Sequence, residues 1–237
     1  MMKKYKAVFL DWDDTIGDFH GAADLALAQM YEKYQLDRYF ASLDEFVGLY
    51  KPHNLELWAK YGEDKVTKEY LSLDRFLFPL MHGSLYPNGE TAQVVRLAMT
   101  MSDDFLALTT AHFSLLPGAE DIVRYLAEKY PLTIVTNGFV EVQYEKFDKS
   151  GLKDYFSHIV LSEEVGCQKP NPRIFEEALR LNGLSADEVV MVGDSWYSDI
   201  QGAINAGIDQ IWVTDKLSDD CAPTYVVKSL DEIKSIL

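Results

Sequence analysis

The chain has 237 residues, 48% hydrophobic and 25% charged, which excludes disordered, collagen-like and low-complexity classes and supplies enough apolar side chains for a sizeable core and a second, smaller one. Its 22 Lys and Arg stand against 38 Asp and Glu, and the net charge of −16 repels nucleic-acid backbone and anionic membrane, so neither is expected as a partner. An anionic small molecule can bind such a chain only where a local cation cancels the field, a first pointer to a metal.

The N-terminal segment Met1 to Lys6 is basic, but the apolar run behind it, Ala7 to Leu10, stops at Asp11 and is too short for a secretory signal. No window approaches the ~20 apolar residues of a membrane helix. Cys167 and Cys221 are too few for a disulfide framework and lack zinc-ligand spacing. A soluble, cytoplasmic protein is expected, with the oligomeric state open and a monomer favoured.

Ala7 to Leu10 reads as a strand buried on both faces that ends at carboxylates. From about residue 17 to 112 the pattern is helical. Ala23, Leu27, Met30, Tyr31 and Tyr34 form one stripe, further helices are predicted around Asn54 to Tyr61, Lys65 to Leu80 and Thr91 to Leu108, and no strand-like run interrupts them. The aromatic-rich segment Phe76 to Tyr86, with Pro79 and Pro87, is read as packing within this insert.

Beyond residue 112, strands and helices alternate. Predicted strands are Leu132 to Val135, Ile159 to Leu161, Val189 to Val192 and Gln210 to Val213, each ending in small or polar residues. Helical stripes run through Ala119, Ile122, Val123, Leu126 and Tyr130, and through Ile174, Phe175, Ala178 and Leu179 after an Asn171 cap and Pro172. Gly151 and Gly183 are read as helix stops, and Ser229 with Glu232 as a capping box opening a last helix to Leu237. The predicted fold is α/β: a Rossmann-like, doubly wound parallel sheet from residues 1–16 and 113–237, with an all-helical cap inserted at 17–112.

Asp11-Trp12-Asp13-Asp14-Thr15 follows the first strand, where Asp11 and Asp13 can each point an oxygen toward a common centre. Three other readings compete: a solvated turn, a helix N-cap at Asp14 or Thr15, and a calcium EF-hand loop, disfavoured by Ile16 and Ala22 where glycine and glutamate are needed. Gly193-Asp194 through Asp199 follows another strand, with glycine allowing close approach of backbone and ligand. Lys169 lies in a proline-stiffened loop, and Thr136-Asn137-Gly138 offers a hydroxyl and backbone N–H groups as a phosphate cradle.

Each motif alone is a common coincidence. In order, each after a strand, they converge at one crevice of a doubly wound sheet. Carboxylates gathered there need a cation, and all-oxygen ligation suits Mg²⁺. With Mg²⁺ and Lys169 neutralising charge, a small phosphorylated metabolite can bind and a carboxylate can attack phosphorus. Asp11 is then the nucleophile, and Asp13 protonates the leaving oxygen and later takes a proton from water. Asp194 completes the metal site, Asp199 supports it or orients Lys169, and Thr136 with the Asn137 N–H holds the phosphoryl oxygens.

Taken together, Asp11/Asp13/Thr15, Thr136, Lys169 and Asp194/Asp199 match in order the four signatures of the haloacid dehalogenase superfamily, which the chain therefore resembles. The resemblance implies a helical cap after the first strand and Mg²⁺ held by Asp11, the Asp13 backbone carbonyl and Asp194. The acid at Asp13 argues against dehalogenation, because a carbon–halogen bond needs no leaving-group proton. Thr136 to Phe139, Ser150 to Leu152, Asp154 to Phe156 and Ser162 to Gly166 are similar to the pyrimidine 5'-nucleotidase-like branch, as are Asn54 and Leu57-Trp58 to that branch's cap. This implies hydrolysis of a nucleoside 5'-monophosphate, with Asn54 and Trp58 as substrate contacts, although a tryptophan at helical spacing also reads as core. Two alternatives stay open: a phosphomutase of the β-phosphoglucomutase type, and a non-catalytic phosphate or Mg²⁺ sensor. His20, His53, His82, His112 and His158 have no ligand or triad spacing and are read as structural.

Overall fold

A continuous apolar run carries the first strand through the centre of the sheet. In this computed structural model, which describes residues 5–86, 91–216 and 222–237, the chain runs β1 (Ala7–Leu10), α1 (Phe19–Lys33), α2 (Leu43–Gly62), α3 (Lys68–His82), α4 (Thr91–Ala111) and α5 (Ala119–Ala127). It continues through β2 (Leu132–Thr136), α6 (Val140–Ser150), β3 (Phe156–Leu161), α7 (Ser162–Val165), α8 (Pro172–Asn182), β4 (Val189–Gly193), α9 (Gln201–Asn205), β5 (Asp209–Val213) and β6 (Tyr225–Val227). Cys221, Pro87 and Lys3-Lys4 lie outside the described residues.

The described chain divides into two compact units, one from residues 1–19 and 113–237, the other from 20–112. In the first, all six strands pair in parallel in the order β3-β2-β1-β4-β5-β6. This is the expected α/β class. Val8 and Leu10 of β1 pack on one face with Trp12, Ile122, Phe147 and Phe156, while Ala7 and Phe9 pack on the other with Ile174, Phe175 and Met191. Both faces are therefore covered, which is why this strand reads as a continuous apolar run rather than an alternating one. Strand order reverses between β1 and β4, so their carboxyl ends flank a topological switch point, where such sheets bind ligands.

Local signals place most of the helices. The Asn171 side chain accepts the Arg173 N–H ahead of Pro172 at the start of α8, and Gly151 (φ 67°) and Gly183 (φ 63°) end α6 and α8 in left-handed conformation. The C-terminus departs from expectation. Leu230–Ser235 forms a 3-10 helix, the Ser229 side chain makes no cap bond, and Glu232 instead accepts the Lys228 N–H at 3.1 Å. Glu232 therefore bonds the residue before the expected cap, and neither half of the capping box forms. The short strand β6 has no long apolar run to announce it in the sequence; among the described residues it pairs with β5 alone, as an edge.

The second unit is helical throughout its described residues. Ser42 caps α2 through the Glu45 N–H and Thr67 caps α3 through the Tyr70 N–H. Its centre is aromatic: ring centroids lie 5.0 Å apart for Phe40 and Phe46, 5.1 Å for Tyr50 and Phe76, and 5.5 Å for Phe76 and Phe105. The Arg75 guanidinium lies over Phe105 at 5.0 Å and Phe76 at 5.4 Å, and donates to the Ser102 hydroxyl at 3.0 Å. Among the described residues no helix is long and apolar enough to cross a membrane.

Phe76 is fully buried between Tyr50, Phe105 and the Arg75 guanidinium. Phe76→Ala is expected to remove about 3–5 kcal/mol of stability from this unit, read as a lower urea midpoint.

Candidate active site

The Asp11 N–H still bonds the Val192 carbonyl of β4 at 2.9 Å, so the sheet ladder fixes the residue one step past the end of β1. The chain then turns back sharply. Ile16 and Gly17 both donate to the Trp12 carbonyl at 2.9 Å, and Asp14 adopts φ 64°, a left-handed conformation that aspartate accepts more readily than most residues. Trp12 pins the turn from beneath, parallel to Phe113 at 5.9 Å and edge-on to Phe147 at 4.7 Å. The helix cap considered for Asp14 or Thr15 does not form, since α1 begins at Phe19.

Asp11, Asp194 and Asp199 each present a carboxylate oxygen within 4.8 Å of the other two. Lys169, 3% exposed, reaches into this group and donates to Asp11 Oδ1 at 2.5 Å, Asp199 Oδ1 at 2.7 Å and the Val135 carbonyl at 2.7 Å. Those three acceptors use every proton of the ammonium. Asn137 fixes the lysine backbone, accepting the Lys169 N–H at 2.8 Å and donating to its carbonyl at 2.9 Å. The Thr15 hydroxyl accepts the Asp194 N–H at 3.1 Å and lies 3.1 Å from Asp11 Oδ2 and 3.2 Å from Asp194 Oδ1. Gly193 serves a neighbour in the chain: a Cβ there would fall 2.4 Å from Asp199 Oδ2, the oxygen that accepts the Ser195 N–H at 3.0 Å.

Three carboxylates gather beside one ammonium that bonds only two of them, Asp11 and Asp199, and the electrostatics follow. Burial, then the Asp199 charge, pushes Asp11 well above the usual carboxylate range despite the pull of Lys169. Burial, then Asp199 and Asp14, pushes Asp194 up to about 7. Burial pulls the Lys169 ammonium down, but Asp11 and Asp199 outweigh it and hold it above the ordinary lysine range. A cluster of hard oxygen donors with excess negative charge fits a divalent cation of the Mg²⁺ class.

Asp13 faces elsewhere. Its Oδ1 accepts from Lys146 at 2.9 Å and its Oδ2 from Gln143 at 3.0 Å, so its carboxylate is not part of the three-acid group. The expectation that Asp11 and Asp13 turn side chains to one centre is thus corrected: donors on α6 claim the second carboxylate. Thr136 Oγ1 accepts from Gln143 at 2.9 Å and from the Gly138 N–H at 3.2 Å, which leaves its own proton free to donate. Asn54 and Trp58 lie on α2 in the helical unit, outside the acidic cluster. Asn54 Oδ1 is buried without a hydrogen-bond partner, and the Trp58 ring meets Tyr61 edge-on at 5.8 Å.

Sequence reading missed Gln143 and Lys146, both buried on α6 beside Phe147. A signal existed: they stand three residues apart on the stripe that helical periodicity turns inward, where polar side chains need a reason. Thr15, read from sequence as a helix N-cap candidate, instead bridges two of the acidic segments with its hydroxyl.

A family model for haloacid dehalogenase-like hydrolases matches residues 5–207. The HAD-hydrolase YfnB of Bacillus subtilis is 30% identical over 240 residues, 100% of this chain and 97% of YfnB. A crystal structure of YfnB bound to magnesium, which reveals interdomain movement in that protein, superposes with a TM-score of 0.83 at 29% identity, covering 99% of both chains. The pyrimidine 5'-nucleotidase YjjG of Escherichia coli is 30% identical over 99% of this chain and 98% of its own. The glyceraldehyde 3-phosphate phosphatase of Methanothermobacter thermautotrophicus is 32% identical over 98% and 99%.

Replacing Lys169 by Met would leave Asp11 and Asp199 buried against each other. In metal-free buffer at neutral pH this is expected to lower unfolding free energy by about 3–5 kcal/mol, measured by urea denaturation.

Proposed function

The chain belongs to the haloacid dehalogenase-like hydrolases, and on that footing we propose that it is a Mg²⁺-dependent phosphomonoesterase working through an aspartyl-phosphate on Asp11. The single observation that carries this reading is the convergence of Asp11, Lys169 and the Asp194/Asp199 pair from three separate segments. Asp11 Oδ1 is held by Lys169 and Oδ2 lies by Thr15, so the carboxylate is aimed without being free to rotate.

Asp11, Asp194 and the Asp13 backbone carbonyl would hold the ion, with Asp199 behind them as the partner of Lys169. Bound Mg²⁺ would neutralise the carboxylates and the phosphoryl oxygens that an acidic chain otherwise repels. The remaining steps belong to the protein. An Asp11 oxygen attacks phosphorus as the ester oxygen departs with a proton from Asp13. Thr136 donates its hydroxyl proton to a phosphoryl oxygen, and the Asn137 N–H supplies a second donor. Water then attacks the aspartyl-phosphate, loses a proton to Asp13, and releases Asp11 with inorganic phosphate. We assign substrate selection to the helical insert, including Asn54 and Trp58.

For the substrate we propose a nucleoside 5'-monophosphate, supported by the end-to-end similarity to YjjG. The equally complete similarity to a glyceraldehyde 3-phosphate phosphatase favours a triose phosphate as second reading.

With Mg²⁺, wild type is expected to hydrolyse p-nitrophenyl phosphate, and Asp11→Asn to lower kcat at least about 1,000-fold. Equal rates for the two proteins would refute the nucleophile assignment. Mg²⁺ is expected to raise the wild-type melting temperature, and to raise that of Asp194→Asn much less, in a thermal-shift titration. Phosphate release from a panel of nucleoside monophosphates and triose phosphates decides the substrate class.

A further inference from the structure

The α6 residues that grip Asp13 have no part in the cluster around Asp11. Lys146 is 3% exposed and Gln143 is fully buried, and each delivers one donor to a different oxygen of the same carboxylate, at 2.9 and 3.0 Å. Lys146 has its aromatic neighbour Phe147 in the core and its ammonium 5.0 Å from the centre of the Phe19 ring, so it is confined from several sides. Gln143 spends its other amide proton on Thr136 Oγ1.

Two features indicate that this arrangement is held against local penalties. Gln143 Oε1 is buried with no donor, an unfavourable state that the opposite amide orientation would not improve, because it would set oxygen against the Asp13 carboxylate. Residue 138 must also be glycine for the amide to fit: a Cβ there would fall 2.0 Å from Gln143 Nε2. A glutamine packed this tightly has one orientation available.

Each Asp13 oxygen thus has its own donor from α6, and together the two fix the plane and direction of the carboxyl group. We propose that Lys146 and Gln143 are positioning residues for the second half of the reaction, aligning the Asp13 carboxyl group toward the hydrolytic water. In that step a water O–H bond breaks and its proton passes to Asp13. A new O–P bond forms, the Asp11 Oδ–P bond breaks, and its electron pair returns to Asp11. The inference rests on the phosphomonoesterase reading above, with Asp11 as nucleophile and Asp13 as base.

p-Nitrophenyl phosphate separates the halves, because its weakly basic leaving group departs without a proton. With the full chain and Mg²⁺, Lys146→Met and Gln143→Leu are each expected to lower kcat at least about tenfold while kcat/KM changes no more than about threefold, since only the later step slows. A burst of nitrophenol approaching one equivalent per enzyme should then precede the slow steady state. Gly138→Ala, which displaces Gln143 without removing it, should give the same signature, and circular dichroism reports whether each variant folds. Asp13→Asn is the control. If it shows a burst and the α6 variants do not, or if kcat and kcat/KM fall together in the folded α6 variants, the positioning inference fails while the role of Asp13 stands. If Asp13→Asn itself shows neither a burst nor a lower kcat, Asp13 is not the base and both fail.

Discussion

A single ammonium, on Lys169, ties together the carboxyl end of β1 through Asp11, the carbonyl of Val135 in β2, and Asp199 beyond β4. Three parallel strands end side by side here, and their acids would repel one another if nothing positive stood between them. Charge-assisted hydrogen bonds at 2.5–2.7 Å offset that repulsion only because all three lysine protons are used and little water reaches them. Much of the local sequence serves this placement: Asn137 clamps the lysine backbone, and Gly193 leaves room for Asp199.

The lysine satisfies part of the charge but not all of it. Asp194 lies beside a hydroxyl and its own turn, with no cation among the described residues in contact, and burial with neighbouring acids pushes it up to about 7. The protein thus tolerates a cluster short of positive charge, which is the electrostatic condition for holding a divalent ion and an anionic substrate together. In a chain of net charge −16 that local demand for cations sets the site apart from the rest of the surface.

Two adjacent turns resolve the crowding of acids differently. Asp11 and Asp13 are two residues apart, yet one is paired with the loop lysine and the other with Lys146 on α6. Their separation depends on Trp12, whose ring is buried among Phe113, Phe147 and Phe156, and on Asp14 in left-handed conformation. Phe147 supports Trp12 while its neighbour Lys146 meets Asp13, so one turn of α6 shapes both the packing beneath the motif and the polar contacts on it.

The five apolar strands, the helix stops at Gly151 and Gly183, the Asn171-Pro172 helix start and the acids and lysine of the cluster were legible from sequence, because each rests on local periodicity or on residue chemistry that spacing alone exposes. The 3-10 ending at Leu230–Ser235, the edge strand β6, the direction of the Asp13 carboxylate and the parts played by Gln143, Lys146 and Gly193 were not. Those depend on what lies across space: an edge strand exists through its one neighbour, a carboxylate turns toward the nearest donors, and a glycine is required by a side chain that approaches it. The amino-acid order set which groups are present and which elements carry them; the packing of α6 against the sheet decided which acid each cation serves.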